Sequence, residues 1–307
     1  MQIKRTYILG IIFILLLGTA YFVKTAPWAN HKETSSNFFV FDKNVVDKIE
    51  IVSEVNSSIL EKQNDLWVVA SANNFKADQT TVESMLKTVL EIKIGTLISD
   101  NADKQSIYEV GEKKGIAVKI FSNDKNFADF VIGKNGPSYN TNYFRIAGNN
   151  KVYLSDVSMR IDFSRPDYRD MRILTLNQAN ISKIEFDYQS KAKNVVIEKE
   201  NEGWKIVSSE KICKQEIVDE ILSIISNLNA QDIVEDEEKE KISLDKPELK
   251  LSIFQGDDKK VLLINSVEQE ENEGKKYYLV LEGNEIIYSV SGYLGEKLMK
   301  QKKDFVE

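Results

Sequence analysis

The chain contains one cysteine, one histidine, 4 prolines and 14 glycines in 307 residues. With Cys213 alone, neither an intramolecular disulfide nor a zinc site built on paired thiolates can form. With His31 alone, no Ser-His-Asp set can assemble elsewhere in the chain, and no nucleophile motif is present. Few Pro and Gly residues exclude a long flexible or collagen-like stretch within the fold. A basic stripe is also missing. Lys and Arg number 41 against 48 Asp and Glu, a net charge of −7. Nucleic acid is held by clustered Lys and Arg on phosphates, so the charge balance argues against it as a partner.

What is present is a globular mixture, 42% apolar and 29% charged, long enough for two domains. Residues 7–23, "YILGIIFILLLGTAYFV", form an uncharged run at the short end of what spans a bilayer core. Lys4 and Arg5 precede it. The positive-inside rule then places the short N-terminus in the cytoplasm and everything after residue 24 outside. A cleaved signal peptide is the alternative, with Gly18 and Ala20 at the −3 and −1 positions. The apolar run continues through Tyr21–Val23, which suits an uncleaved anchor better. No cysteine follows it for lipid attachment. His31 falls in the polar linker behind this run and reads as a solvated residue.

The chain is written twice. "ILEKQNDLWVV" (59–69) returns as "VIEKENEGWKIV" (196–207), with the two Trp residues 137 positions apart. "DKIEIV" (47–52) matches "SKIEFD" (182–187) at an offset of 135, and "GIAVKIF" (115–121) matches "ELKLSIF" (248–254) at 133. The aromatic pair Tyr143–Phe144 matches Tyr277–Tyr278 at 134, and Tyr153 matches Tyr288 at 135. Chance does not supply five matches in one order.

Each copy carries one amphipathic helix. Val82, Met85, Leu86, Val89 and Leu90 share a face, as do Ile217, Ile221, Ile224, Ile225 and Leu228. At an offset of 136, Val82, Met85, Leu86 and Val89 fall on Val218, Ile221, Leu222 and Ile225. Thr80 and Glu83 have the spacing of a capping box. Cys213, in "SSEKICKQEI" at the entrance of the second helix, reads as a small half-buried apolar residue. Alternating apolar segments with polar turns surround each helix, so each copy reads β-β-β-α-β-β-β-β. The expected fold class is α+β: an N-terminal transmembrane helix, then two tandem copies of an antiparallel sheet with one covering helix. Trp67 and Trp204 each stand on the strand leading into the helix and are expected to plug their own core rather than form exposed platforms.

The recurring elements "I-x-I" (Ile49 and Ile51), "NDLWVV", "ADQTTVESML", "FVIG" (130–133) and "YFRIAGNNKVYL", with the segment "SRPDYRDMRILTLNQANISKIEF" (164–186), carry a resemblance. It covers most of residues 40–300. The chain resembles an uncharacterised family of bacterial membrane-anchored proteins with a tandem domain of unknown function, often encoded beside gliding-motility-type ABC transporter components. The second copy departs from that pattern: "LLINS" lacks the Gly of "FVIGK", and "EKICKQ" lacks the Ala-Asp. The resemblance brings no catalytic residues and implies an accessory role near an exporter.

Three stretches imitate chemistry. The acidic run "DIVEDEEKEK" (232–241) lacks the Gly or Asn turns of a calcium loop and reads as a solvated loop. "VIGKNGPS" (131–138) lacks the Gly-Lys-Ser/Thr of a phosphate loop and leads into a strand, so it reads as a turn. "FSRPDYRDMR" gathers Arg165, Arg169, Arg172, Asp167 and Asp170, whose pairing is expected to lock the two copies together. No residue is assigned a catalytic, cofactor-binding or metal-binding role.

The sequence reads as an anchor over 1–24, a linker over 25–37, a first repeat over 38–163, a connector over 164–176, a second repeat over 177–300 and a tail over 301–307. The expected function is that of a non-enzymatic extracytoplasmic accessory or adaptor protein beside an ABC-type transporter. Its expected partners are the bilayer and transporter subunits. A carboxylate-based hydrolase or a ligand-binding module is the alternative.

Overall fold

Lys48–Val52 buries Ile49 and Ile51 and turns Lys48, Glu50 and Val52 outward, the period-two pattern of a strand with one face on a core. Most of the chain repeats that logic. The computed structural model describes residues 36–306 except 94, 112, 202, 240, 241, 243 and 270–273. The expected membrane anchor, His31 and the expected linker as far as residue 35 lie outside the described residues, while Asn37 at the linker's end bridges Lys93. Among the described residues, no helix is long and apolar enough to cross a membrane.

The chain divides into two units between Asp170 and Met171. The first contains β1 (Lys48–Val52), β2 (Ser57–Gln63), β3 (Leu66–Val69), β4 (Phe75–Lys76), α1 (Gln79–Glu91), β5 (Leu97–Ser99), β6 (Ile116–Ser122), β7 (Lys125–Asn135), β8 (Asn142–Ile146), β9 (Val152–Leu154) and α2 (Arg160–Phe163). Its sheet runs β4-β3-β2-β1-β6-β7-β8-β9-β5, antiparallel throughout. Asn64 and Asp65 turn the β2–β3 hairpin with φ of 50° and 65°, the left-handed pair that matches strand twist.

The second unit contains β10 (Arg172–Thr175), β11 (Lys183–Tyr188), β12 (Val195–Glu200), β13 (Gly203–Ile206), β14 (Lys211–Ile212), α3 (Gln215–Ser226), β15 (Asn227–Asn229), β16 (Asp232–Ile233), α4 (Asp236–Lys239), β17 (Leu249–Gln255), β18 (Asp258–Glu268), β19 (Lys275–Leu281), β20 (Tyr288–Val290) and α5 (Gly292–Leu298). Its sheet runs β14-β13-β12-β11-β17-β18-β19-β20-β16. That is the first sheet's order, strand for strand. Registers agree too: Ile49 faces Leu60 and Ile120 in the first sheet, and Ile184 faces Ile197 and Ile253 in the second. Both sheets carry short edge strands, β4 and β5 or β14 and β16, that the sequence pattern did not announce. Two or three residues are too few to show an alternation.

One sequence match is out of register. Phe144 pairs with Tyr153, and Leu279 pairs with Tyr288. Phe144 therefore corresponds to Leu279, and Tyr143 to Tyr278, at an offset of 135 rather than 134. Matching by aromatic type slipped one residue, and one residue on a strand exchanges the two faces.

Helix α1 buries Thr81 and four of the five expected residues, Val82, Met85, Leu86 and Val89, with Leu90 half-buried. Helix α3 buries Val218, Ile221, Leu222 and Ile225, the residues matched by the repeat offset, while Ile217 and Ile224 are half-buried and Leu228 lies on β15. The cap of α1 differs from the expected Thr80–Glu83 box. Asp78 is the N-cap, and its carboxylate accepts from the Thr80 and Thr81 amides at 3.1 and 3.4 Å and from the Thr81 hydroxyl at 2.7 Å. The Asp78 amide donates to the Tyr168 carbonyl, which sets the helix to start there. In the second unit the Lys214 amide donates to Phe305 in the same way, without a side-chain cap.

That last pair redraws the repeat. Tyr168 and Phe305 are 137 residues apart and both buried, at 2% and 0% exposure. Residues 164–170, read from sequence as connector, belong to the first unit: Ala77 bridges Arg169, the Asp170 amide donates to Lys76, and Lys76 pairs with Asp170 at 3.2 Å. Arg165 reaches Asp78 at 3.9 Å and Arg169 pairs with Asp167 at 2.7 Å, both within the first unit. Residues 172–175 form β10, which pairs with β15 in the second unit. The segment read as a tail closes the second unit, with Phe305 set edge-on to Phe186 at 5.5 Å.

The link between the two helices of each unit also repeats, with its charges rearranged. Ser84 and Thr88 on α1 donate to the buried Asp162 carboxylate on α2, at 2.9 and 3.3 Å. In the second unit Lys297 on α5 pairs with Glu220 on α3 at 2.6 Å. Glu220 stands 136 residues after Ser84, and Lys297 stands 135 after Asp162. Donor and acceptor have changed sides while the joint is kept.

Candidate functional site

Trp67 and Trp204 are buried, at 6% and 4% exposure. They are core plugs. Gln79, the first residue of α1, clasps the Trp67 backbone: its Oε1 accepts from the Trp67 amide at 2.9 Å and its Nε2 donates to the carbonyl at 2.8 Å. The Ala77 amide donates to the Trp67 carbonyl, and the Cys213 amide donates to the Trp204 carbonyl. Cys213 thus occupies the place of Ala77. It is buried, and desolvation pushes its thiol up to about 11. Almost none of it is thiolate near neutral pH, so it is neither a nucleophile nor a ready metal ligand. Cys213→Ala should therefore change stability by no more than about 1 kcal/mol. Thermal melts check this, and native alkylation at pH 8 should be much slower than alkylation in denaturant.

The other stretches resolve as scaffold. In the acidic run, Asp232–Ile233 is the edge strand β16 and Asp236–Lys239 is the short helix α4, rather than one loop. Residues 131–135 continue β7, and the turn begins only at Gly136. Gly133 is needed there because a Cβ would collide with the Tyr108 carbonyl. Among the described residues, no group of three His, Cys, Asp or Glu side chains is placed to share a metal ion.

A concave site does exist, on the open face of the first sheet, away from α1. Its volume is about 1050 Å³. Two rows of cross-strand neighbours form its floor. One is Ala117–Val131–Arg145, and the other is Lys119–Asp129, continued by Ala147, whose amide donates to the Asp129 carbonyl. Its wall is the loop after the 3₁₀ helix Ala102–Tyr108, which contributes Glu109, Lys113 and Lys114. Arg145 fastens that wall to the sheet. Its Nε donates to the Val110 carbonyl at 3.1 Å, and its Nη1 donates to Ile146 and Asn149 carbonyls at 3.3 and 3.1 Å.

Arg145 is 8% exposed, yet among the described residues no carboxylate lies within ion-pairing distance of it. Neutral carbonyls satisfy hydrogen bonds but do not neutralise a buried charge. Among the described lining residues, Lys113, Lys114, Lys119 and Arg145 stand with Glu109 and Asp129. Lys114 leans on Glu109 at 4.0 Å.

The second unit explains why the first is open. Register places Lys250 where the first unit has Ala117, Leu263 for Val131, Val280 for Arg145, Val261 for Asp129 and Glu282 for Ala147. Lys250 and Glu282 form an ion pair of 2.6 Å that crosses over β18. Two alanines in the first unit are too short to make that bridge. A smaller hollow of about 630 Å³ in the second unit lies elsewhere, beside Trp204, Gln215 and Asp219.

Sequence reading passed over Arg145 as part of the fold-forming "YFRIAG". The available signal is the replacement of a strand Arg by an apolar residue in the second copy, Leu279 at an offset of 134 and Val280 at the observed 135.

A family profile described as "Domain of unknown function (DUF4340)" matches residues 67–247, more than half of the chain and across the boundary of the two units. No curated protein and no solved structure shows a significant match. The profile begins at Trp67, takes in both covering helices and every residue that lines the pocket of the first unit, and on that match the chain belongs to the DUF4340 family.

Proposed function

We propose that this protein is a non-enzymatic accessory protein, tethered by residues 7–23 to the outer face of a cytoplasmic membrane, which acts by recognition beside an ABC-type transporter. One observation carries the reading. The two units keep a common scaffold, down to strand order and register, while their open faces have diverged. Duplication that preserves a frame and varies its surface suits a protein that presents surfaces to partners. The apolar run behind Lys4 and Arg5 supports the tether.

Protease added to intact protoplasts should degrade residues 25–307, and crosslinking in native membranes should attach the chain to subunits of a transporter. A cleavable secretion signal in place of residues 1–24 should yield a folded soluble protein that loses that crosslink. Complete protection from protease sinks the topology. Crosslinks confined to proteins other than transporter subunits sink the adaptor assignment.

A further inference from the structure

We infer that the open face of the first unit is a binding site for a small molecule bearing a carboxylate or phosphate group, with Arg145 holding the oxyanion. This goes beyond the adaptor reading and does not depend on it. Arg145 is buried at the pocket floor, and its only acceptors among the described residues are the three backbone carbonyls of Val110, Ile146 and Asn149, on Nε and Nη1. Among the described residues, no acceptor engages its Nη2, which is the group offered to a ligand. A guanidinium fork is the side chain best matched to a planar or tetrahedral oxyanion. Lys113 on the wall and Lys119 on the floor add positive charge, moderated by Glu50 and Asp129 on either side of Lys119. The volume, about 1050 Å³, exceeds a single ion and fits an organic molecule that carries one. Where the second unit has Val280 in place of Arg145, the Lys250–Glu282 ion pair spans the positions that Ala117 and Ala147 hold in the first. Arg145 and the two small residues beside it occur together in the first unit and are replaced together in the second, as expected if they serve one ligand.

The test uses the full chain in detergent, titrated calorimetrically with citrate, succinate and inorganic phosphate, each against chloride at equal ionic strength. At least one should bind saturably in the micromolar to millimolar range. Arg145→Val, which installs the second unit's residue, should weaken binding at least tenfold. Because Arg145 also fastens the 109–115 loop, a second variant keeps it: Ala117→Lys with Ala147→Glu transplants the ion pair of the second unit across the pocket. That variant should fold, melt near the parent temperature and lose binding. Absence of saturable binding by all three anions overturns the inference. So does a folded Ala117→Lys/Ala147→Glu protein that binds as tightly as the parent.

Discussion

Trp67→Ala should destabilise the first unit by about 3–5 kcal/mol, and Trp204→Ala the second by as much, the usual cost of truncating a buried aromatic. Each ring removes roughly 150–250 Å² from water. The backbone around it is pinned as well: Ala77 and Cys213 donate to the two Trp carbonyls, and Gln79 clasps both sides of Trp67. A cavity left there cannot collapse without disturbing the entry to α1 or α3. Hydrogen exchange resolved by residue reads the outcome. Protection should fall in β1–β3 and α1 for Trp67→Ala, and in β11–β13 and α3 for Trp204→Ala. Two variants that keep the parent's protection would return the rings to the surface.

Phe305→Ala, or truncation after Lys300, should cost the second unit at least as much as the Trp change, about 3–5 kcal/mol for the side chain alone. Phe305 is fully buried against Phe186, and its carbonyl receives the Lys214 amide at the start of α3. Truncation removes the ring and leaves that helix start without its acceptor. Tyr168→Ala is the matching change in the first unit, and there the phenol also loses its 2.9 Å bond to the Phe163 carbonyl. If residues 301–307 can be deleted with no change in urea midpoint, they are a tail after all and the redrawn repeat is wrong.

Much of the frame was legible in the chain as written. Period-two burial identified the seven longer strands of each copy, period-3.6 burial found both helices, and recurring Trp, Ile and Tyr positions revealed the duplication. These signals are local, or repeat a local signal at a fixed spacing, and burial on one face needs no knowledge of which element does the covering. The cap of α1 differs from the local pattern because Asp78 is selected by the bond that its amide donates to a carbonyl 90 residues away, that of Tyr168. The connector and tail were misassigned for the same reason: "PDY" and "KDF" are short, polar and aperiodic, and only their docking beside the helix starts makes them part of a unit.

The site lay beyond sequence altogether. Alternation places Ala117, Val131 and Arg145 on the face away from α1, but it cannot tell whether that face is filled, covered or hollow. The hollow comes from two small side chains on β6 and just after β8, 30 residues apart and separated in space by β7. Arg145 becomes a buried cation only because the 109–115 loop folds back and offers it the Val110 carbonyl. From the chain alone came the duplication, the two cores and the helices that cover them, since each follows from which residues avoid water. Tertiary structure alone decided where each unit ends and that the open face of the first sheet is hollow, since both depend on side chains that meet only after the sheets have formed.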